Sequence, residues 1–182
     1  MINQQRFRTP ISICLACLIV LVGAAACGSG GGSSTQPTPT ATSVVTANVT
    51  FTEAVCTRVI DGDTIEVSIE GETYTVRYIG VDTPEMDDNR SEYRALAEEA
   101  TQANRDMVED KVVNLEKDVS ETDQYGRLLR YVFVGYDFVN AELVSEGYAW
   151  AKSYPPDTKY DALFHDLESE AENAGLGVWS LP

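Results

Sequence analysis

The chain has 182 residues, with 13 Lys and Arg against 29 Asp and Glu, and a formal net charge of −16. This length suits one ordinary domain rather than two large ones, and 43 % hydrophobic with 23 % charged residues is a globular composition. A single His and four Cys without the paired CxxC…CxxC spacing or an HExxH motif argue against structural or protease zinc. The acidic balance counts against a general duplex-coating protein, because affinity for phosphate backbones usually comes from clustered Lys and Arg.

Residues 1–26 have the pattern of a secretory signal peptide. A short basic start leads into ISICLACLIVLVGAAA, which carries no charge and is shorter than the roughly 20 residues that a membrane-spanning helix needs. The run ends in AAAC, which resembles a bacterial lipobox and predicts cleavage before Cys27 and acylation of its thiol. The usual Leu three positions before the Cys is replaced by Ala24, so an ordinary cleaved signal with a chance Cys is the alternative. We therefore expect an exported protein, anchored to the cell membrane by lipid on Cys27, with its domain facing outside the cytoplasm.

The next segment has the composition of a flexible spacer. Residues 28–50 contain no charged residue and are rich in Gly, Ser, Thr and Pro. We assign 27–50 to the lipidated Cys and its linker, and 51–182 to the folded domain. Only Cys56 then remains in the mature domain, which excludes an intramolecular disulfide there, and its strand-like surroundings indicate a buried small hydrophobe.

The folded part begins with the patterns of three strands and a helix. FTEAVCTRVI, TIEVSI and TYTVRYIGV show alternation or β-branched richness and are separated by the turn-like groups at 61–63 and 70–72. After them, apolar residues at three- and four-residue spacing predict a helix from an N-cap at Ser91 to Val108.

The remaining chain predicts two strands and two helices. VVNLE and LLRYVFV read as strands at 112–116 and 128–134. A short helix is expected over Asp137–Glu146 and a last one from Thr158 to Ala174, with Leu163 in its apolar stripe. The order β-β-β-α-β-β-α-α is that of a five-stranded OB-fold barrel with three helices, an α+β class that is mainly β.

Three short segments place carboxylates and Arg side chains at predicted strand ends. They are VIDGDT (59–64), RYIGVDTPE (77–85) and TDQYGR (122–127). Hard divalent cations bind carboxylate and carbonyl oxygens, and planar Arg forks suit the oxygens of a phosphodiester. A further carboxylate can orient or deprotonate water. Each segment alone is also explained by a turn, but together they supply what phosphodiester hydrolysis requires.

In this order and spacing the three segments resemble the staphylococcal nuclease (thermonuclease) family. The resemblance extends over 53–181 and includes GYAWAKSY (147–154) and GLGVWS (175–180). It implies a Ca²⁺-dependent endonuclease that cleaves DNA and RNA to 3′-phosphates and prefers single-stranded or frayed substrates. We expect it to act as a monomer.

The resemblance also implies the ligands of one Ca²⁺. Asp63 and Asp82 would supply carboxylates, and the backbone carbonyl of Thr83 would join them. Asp61 is either an outer partner of this metal site or only the start of the turn.

The same resemblance implies the groups that act on the substrate. Glu85 would be the general base or position the attacking water, Arg77 would hold the phosphate and stabilise its developing charge, and Arg127 would do likewise and assist the leaving group. Tyr125 and Tyr154 are candidates for nucleotide contacts, because stacking on aromatic rings tolerates any base.

The chain departs from the family pattern in its charges. The loop after the TPE segment usually carries several Lys, whereas here it reads MDDNRSEYR, and Gln124 stands where Lys is common before Tyr-Gly-Arg. Asp123 is expected to serve the turn, and Trp150 and Trp179 are expected to pack. The alternatives to a nuclease are a non-catalytic nucleic-acid or partner-binding module on the same fold, and a surface protein whose acidic face binds cations or cationic partners.

Overall fold

The computed structural model describes residues 50–181. The predicted signal peptide, Cys27 and nearly all of the predicted linker lie outside the described residues. Among residues 50–181, no helix combines the length and apolar character that crossing a bilayer requires.

The described part contains eight strands, three α-helices and one 3₁₀ helix. In chain order they are β1 (Phe51–Val59), β2 (Thr64–Ile69), β3 (Glu72–Tyr78), β4 (Val81–Asp82), α1 (Ser91–Val108), β5 (Val112–Glu116), β6 (Leu128–Val134), β7 (Asp137–Phe138), α2 (Val139–Ser145), β8 (Trp150–Ala151), α3 (Asp161–Ala174) and the 3₁₀ helix (Gly177–Ser180).

Five of these strands close into a mixed barrel. The antiparallel neighbours follow the order β3-β2-β1-β5-β6, and a parallel pairing of β3 with β6 completes the circle. In that closing pair Val76 lies opposite Leu128 and Arg77 opposite Leu129. The predicted five-stranded OB-fold barrel with three helices is therefore confirmed.

The barrel core follows from alternation along the strands. Ile65, Val67, Val76 and Tyr78 alternate inward and are almost fully buried. Cys56 lies among them, fully buried, and its burial raises the pKa of the thiol to about 11. The prediction that this Cys is a packing residue is confirmed.

Two very short strands, absent from the sequence prediction, hold the next part of the chain. β4 and β8 pair antiparallel, with Val81 opposite Ala151 and Asp82 opposite Trp150. This pairing fixes the segment that follows β3, where Asp82 and Thr83 lie.

The helix boundaries differ from their predictions. Arg90, not Ser91, takes the N-cap position of α1. Residues 137–138 are not helical, because they pair with the end of β6 as β7, and α2 starts at Val139, two residues later than predicted.

The last helix is also shorter than predicted. α3 starts at Asp161 rather than Thr158. The backbone before it is held elsewhere, because Tyr154 pairs with Asp157 and the Lys159 N–H donates to the Asp118 carboxylate. Leu163, predicted to lie in the apolar stripe, is 41 % exposed.

Candidate active site

The turn between β1 and β2 orients Asp63. The Asp61 carboxylate accepts a hydrogen bond from the Asp63 N–H at 3.0 Å, so its side chain serves the turn. The Asp61 carbonyl accepts from the Asn104 amide of α1 at 2.9 Å, and the Tyr78 hydroxyl donates to the same Asn104 side chain at 2.8 Å. The buried Asn104, not predicted as a site residue, thus anchors this turn to the barrel. Its only signal was a polar residue in an apolar helix stripe.

Asp63 points from this turn toward the segment after β4. Its Oδ2 accepts from the Thr83 N–H at 2.9 Å and from the Thr83 hydroxyl at 3.1 Å, while its Oδ1 accepts from the Thr64 hydroxyl at 3.1 Å. The approach is so close that a Cβ on Gly62 would lie 2.7 Å from the Thr83 methyl group. Gly62 is therefore required by packing, not only by the turn.

Arg77 of β3 binds both predicted ligand carboxylates. Its Nη2 lies 2.8 Å from Asp82 Oδ1 and 3.1 Å from Asp63 Oδ2. Its Nη1 donates to the carbonyls of Tyr78 and Val81 at 2.9 and 2.8 Å. These contacts hold the guanidinium rigidly, with the side chain 14 % exposed.

Negative charge exceeds positive charge around this guanidinium. Burial raises the pKa of Asp63 to about 6; Arg77 opposes the rise, and Asp61 and Asp82 add to it. Burial likewise raises the pKa of Glu85, with Asp61 and Asp82 contributing through like-charge repulsion. A bound cation would relieve this repulsion.

The donor set fits a hard cation of the Ca²⁺ type. Asp63 and Asp82 supply two converging carboxylates, and the Thr83 carbonyl is the kind of oxygen that Ca²⁺ accepts as a further ligand. Among residues 50–181, no three His, Cys, Asp or Glu side chains converge as a metal cluster. The remaining coordination positions would therefore belong to water or to substrate oxygens.

The loop before β6 positions Arg127 and Tyr125. Asp123 accepts from the backbone N–H groups of Tyr125 and Arg127 at 2.9 and 3.0 Å, as expected for a turn residue. It also accepts from Arg127 Nε at 2.7 Å, a contact that the four-residue spacing of the two residues allows. Tyr125 is 76 % exposed, with the Arg127 guanidinium 5.6 Å from its ring centroid.

A cavity of about 470 Å³ brings four of the predicted residues together. Arg77, Arg127, Tyr125 and Tyr154 all line it. Glu85 lies outside this lining, exposed on the loop that follows β4. Two Arg and two Tyr residues thus meet at one cavity, a set of residue types that suits a nucleotide with its phosphate.

Asp157 joins two walls of the cavity and was not predicted from the sequence. It is buried and accepts from the N–H groups of Val119 and Ser120 at 2.9 and 2.7 Å. Both Ser120 and Asp157 line the cavity. In the sequence, Asp157 follows Pro155 and Pro156, where an Asp indicates only a turn.

Comparison with known proteins agrees with this arrangement. Residues 75–181 match the family model described as staphylococcal nuclease homologue. The chain is 39 % identical to the thermonuclease of Staphylococcus intermedius over 122 residues. These residues cover 67 % of this chain and 73 % of that protein. The chain belongs to the staphylococcal nuclease family.

Further relatives come from two genera. The thermonuclease of Staphylococcus hyicus is 38 % identical over 123 residues, which cover 68 % of this chain and 73 % of that protein. Endonuclease YncB of Bacillus subtilis (strain 168) is 42 % identical over 125 residues, which cover 68 % of this chain and 59 % of that protein. The staphylococcal nuclease family model begins after Asp63, and the contacts of Asp63 with Arg77 and Thr83 tie it to the matched part.

Proposed function

We propose that this protein is an exported, lipid-anchored, Ca²⁺-dependent nuclease that hydrolyses phosphodiester bonds of DNA and RNA and leaves 3′-phosphates. The observation that carries the proposal is the position of Arg77. Its guanidinium contacts Asp63 and Asp82, and Arg77 is also one of the residues that line the cavity together with Arg127.

Family membership supports the hydrolase part of this proposal. The relatives named above are thermonucleases and an endonuclease, so nucleic acid is the substrate class that the family implies. The preference for single or frayed strands rests on the exposed ring of Tyr125 and on Tyr154 at the cavity.

Substrate binding would place a phosphate between the two Arg side chains. Arg77 through its Nε–H, and Arg127 through its terminal nitrogens, would donate to the non-bridging oxygens and stabilise the charge that grows on them in the transition state. A cation held by Asp63, Asp82 and the Thr83 carbonyl would supply Lewis-acid polarisation of that phosphate and neutralise its charge.

Glu85 would act on the attacking water. A carboxylate with a raised pKa accepts a proton more readily near neutral pH than an ordinary Glu does. As the bond from water oxygen to phosphorus forms, the bond from phosphorus to the 5′ oxygen breaks. The 5′ oxygen takes the electron pair and then a proton, and Arg127 stabilises the charge on it. The phosphate stays on the 3′ side.

An activity assay tests the catalytic proposal. The full chain, held in mild detergent, is incubated with single-stranded DNA or RNA in Ca²⁺ or in chelator, from neutral to alkaline pH. We expect Ca²⁺-dependent cleavage, and Arg77→Ala or Glu85→Ala should each lower kcat by about 10²-fold or more. The exposed Arg58→Ala and Glu98→Ala are matched controls and should retain wild-type kcat.

The non-catalytic alternative predicts a different result. A binding module on the same fold would bind the strand and leave it intact under every condition. Absence of Ca²⁺-dependent cleavage across the pH range would reject the nuclease proposal.

The lipid anchor needs its own test. Mass spectrometry of the mature protein should find the N-terminus at Cys27 with acyl groups attached, and Cys27→Ser should release the protein from membranes. Cys17→Ser, in the segment predicted to be removed, is the control and should leave the anchor intact. An unmodified Cys27, or cleavage elsewhere, would contradict the lipid anchor. It would also contradict the proposed attachment of the domain to the cell membrane, facing outside the cytoplasm.

A further inference from the structure

Apart from the cavity, a flat stack of side chains lies beside β4. The Arg90 guanidinium carbon lies 3.5 Å from the centroid of the Tyr93 ring. The Tyr93 ring in turn stacks on Trp150, with centroids 6.2 Å apart and planes inclined by 24°. We call this stack of Arg90, Tyr93 and Trp150 the Arg90 ledge.

Asp88 fixes the outermost member of the ledge. The Arg90 Nε and Nη2 donate to its two carboxylate oxygens at 3.0 and 2.8 Å, and the Arg90 N–H donates to Oδ1 at 2.8 Å. One face of the guanidinium lies on the Tyr93 ring and its edge is held by Asp88, yet the side chain remains 55 % exposed. The open face is therefore held flat and presented to solvent.

The Arg90 ledge is adjacent to the catalytic residues. Trp150 lies directly opposite Asp82 in the β4–β8 pair. The Asp88 N–H donates a hydrogen bond to the Glu85 carbonyl at 3.2 Å, which forms a turn between these two residues. The chain then runs from Trp150 through the exposed Lys152 to Tyr154 at the cavity. The four residue steps from Trp150 to Tyr154 span at most about 14 Å, so one short nucleic-acid strand can reach both the ledge and the cavity.

We propose that the Arg90 ledge is a second base-binding site, which stacks an unpaired base of the same nucleic-acid strand whose phosphate lies at the cavity. The proposal deepens the proposed function and rests on it for the identity of the ligand. A base has a π face of the size that a flat guanidinium on an aromatic ring accommodates. A paired base in a duplex does not expose that face, so the ledge selects single strands.

Two further cations, Arg94 and Lys152, lie close to the ledge along the chain. The exposed Arg94 donates to the Asp88 carbonyl at 2.7 Å, and its charge lies beside the ledge on the first turns of α1. With Lys152 it supplies positive charge for the phosphates on either side of the stacked base. These two cations offset part of the acidic charge of residues 85–92, which include Glu85, Asp87, Asp88 and Glu92.

Equilibrium binding of two probes tests the Arg90 ledge. The full chain in mild detergent and excess chelator is titrated with a fluorescent 12-mer of thymidine and with a thymidine dinucleotide, which is too short to cover both sites. We expect the 12-mer to bind more tightly than the dinucleotide, and Arg90→Ala to reduce the ratio of the two affinities about tenfold or more. Arg105→Ala, at a half-buried Arg further along α1 that pairs with Glu109, is the matched control and should leave the ratio unchanged.

A conservative variant separates stacking from charge. Arg90→Lys keeps the positive charge and removes the planar group. If stacking provides the binding, Arg90→Lys should weaken binding of the 12-mer almost as much as Arg90→Ala does. Thermal unfolding midpoints should match the wild type for both variants, because Arg90 is exposed. Wild-type affinity in Arg90→Lys, or an equal loss in Arg105→Ala, would overturn the stacking site.

The two proposals fail separately. If the wild type binds the 12-mer through Arg90 but Ca²⁺ produces no cleavage, the nuclease proposal fails and the Arg90 ledge stands. If Ca²⁺-dependent cleavage is present but the 12-mer binds no more tightly than the dinucleotide, or Arg90→Ala leaves the ratio unchanged, the Arg90 ledge is overturned and the nuclease proposal stands.

Discussion

Gly62→Ala perturbs the active site through a single added carbon. The backbone of Gly62 does not have positive φ, so alanine brings no conformational strain there and its effect is steric. Its Cβ would lie 2.7 Å from Thr83 Cγ2, 2.8 Å from Oγ1 and 2.9 Å from Cβ. Ordinary van der Waals contact between such atoms begins near 3.4 Å, so Thr83 has to move away from the new Cβ by about 0.7 Å.

This displacement of Thr83 breaks the hydrogen bonds that orient Asp63. The Thr83 N–H and hydroxyl lie 2.9 and 3.1 Å from Asp63 Oδ2, and both hydrogen bonds become too long after such a shift. Overpacking of this kind costs about 1–3 kcal/mol in the free energy of unfolding. A displacement approaching 1 Å at a catalytic group lowers kcat by about 100-fold, which is the expected effect here.

Cleavage kinetics and urea unfolding measure the two effects. Gly71→Ala, in the open turn between β2 and β3 with φ +90°, strains the backbone without touching the site, so it should lower stability and leave kcat unchanged. Thr83→Ala removes two of the three clashing atoms, so Gly62→Ala should cost less stability in that background. Wild-type kcat in Gly62→Ala, or strictly additive stability losses, would refute the steric argument.

Three further predictions concern charge. Asp123→Asn keeps acceptors for the turn but weakens the hold on Arg127, so KM for single-stranded DNA should rise about tenfold with little change in unfolding free energy, and an unchanged KM would contradict it. Asp61→Asn removes a like charge that raises the pKa of Glu85, so the acidic limb of the kcat–pH profile should move to lower pH; a limb that stays or moves up would count against Glu85 as the base. Activity should depend weakly on salt at a net charge of −16, and a log–log slope steeper than about −3 would refute this.

The barrel could be predicted because its strands are long enough to show a period. Ile65 and Val67 on β2, and Val76 and Tyr78 on β3, alternate inward over six or seven residues, and such alternation identifies a half-buried strand. The strands β4 and β8 could not be found this way. Two residues carry no period, and the pairing of Val81 with Ala151 joins parts of the chain far apart in the sequence.

The site residues were predicted by resemblance, and the structure explains their proximity. Asp63 lies in the turn before β2, Arg77 on β3 and Asp82 on β4, and Arg77 binds both carboxylates. Their chemical roles stay predictions. Asn104 and Asp157 were missed as supports of the site, because a polar residue in an apolar helix stripe or an Asp after two Pro does not identify the distant partner that it binds.

The parallel pairing of β3 with β6 makes the site a property of the complete barrel. Arg77 lies in that pair and Arg127 directly precedes it, so the two Arg residues come to one cavity only when strands from opposite halves of the domain meet. Before that closure the chain carries the residues but no site. Under the proposed export, a chain that crosses the membrane unfolded could not degrade the nucleic acid of the cell that made it, and its activity would begin only where it folds.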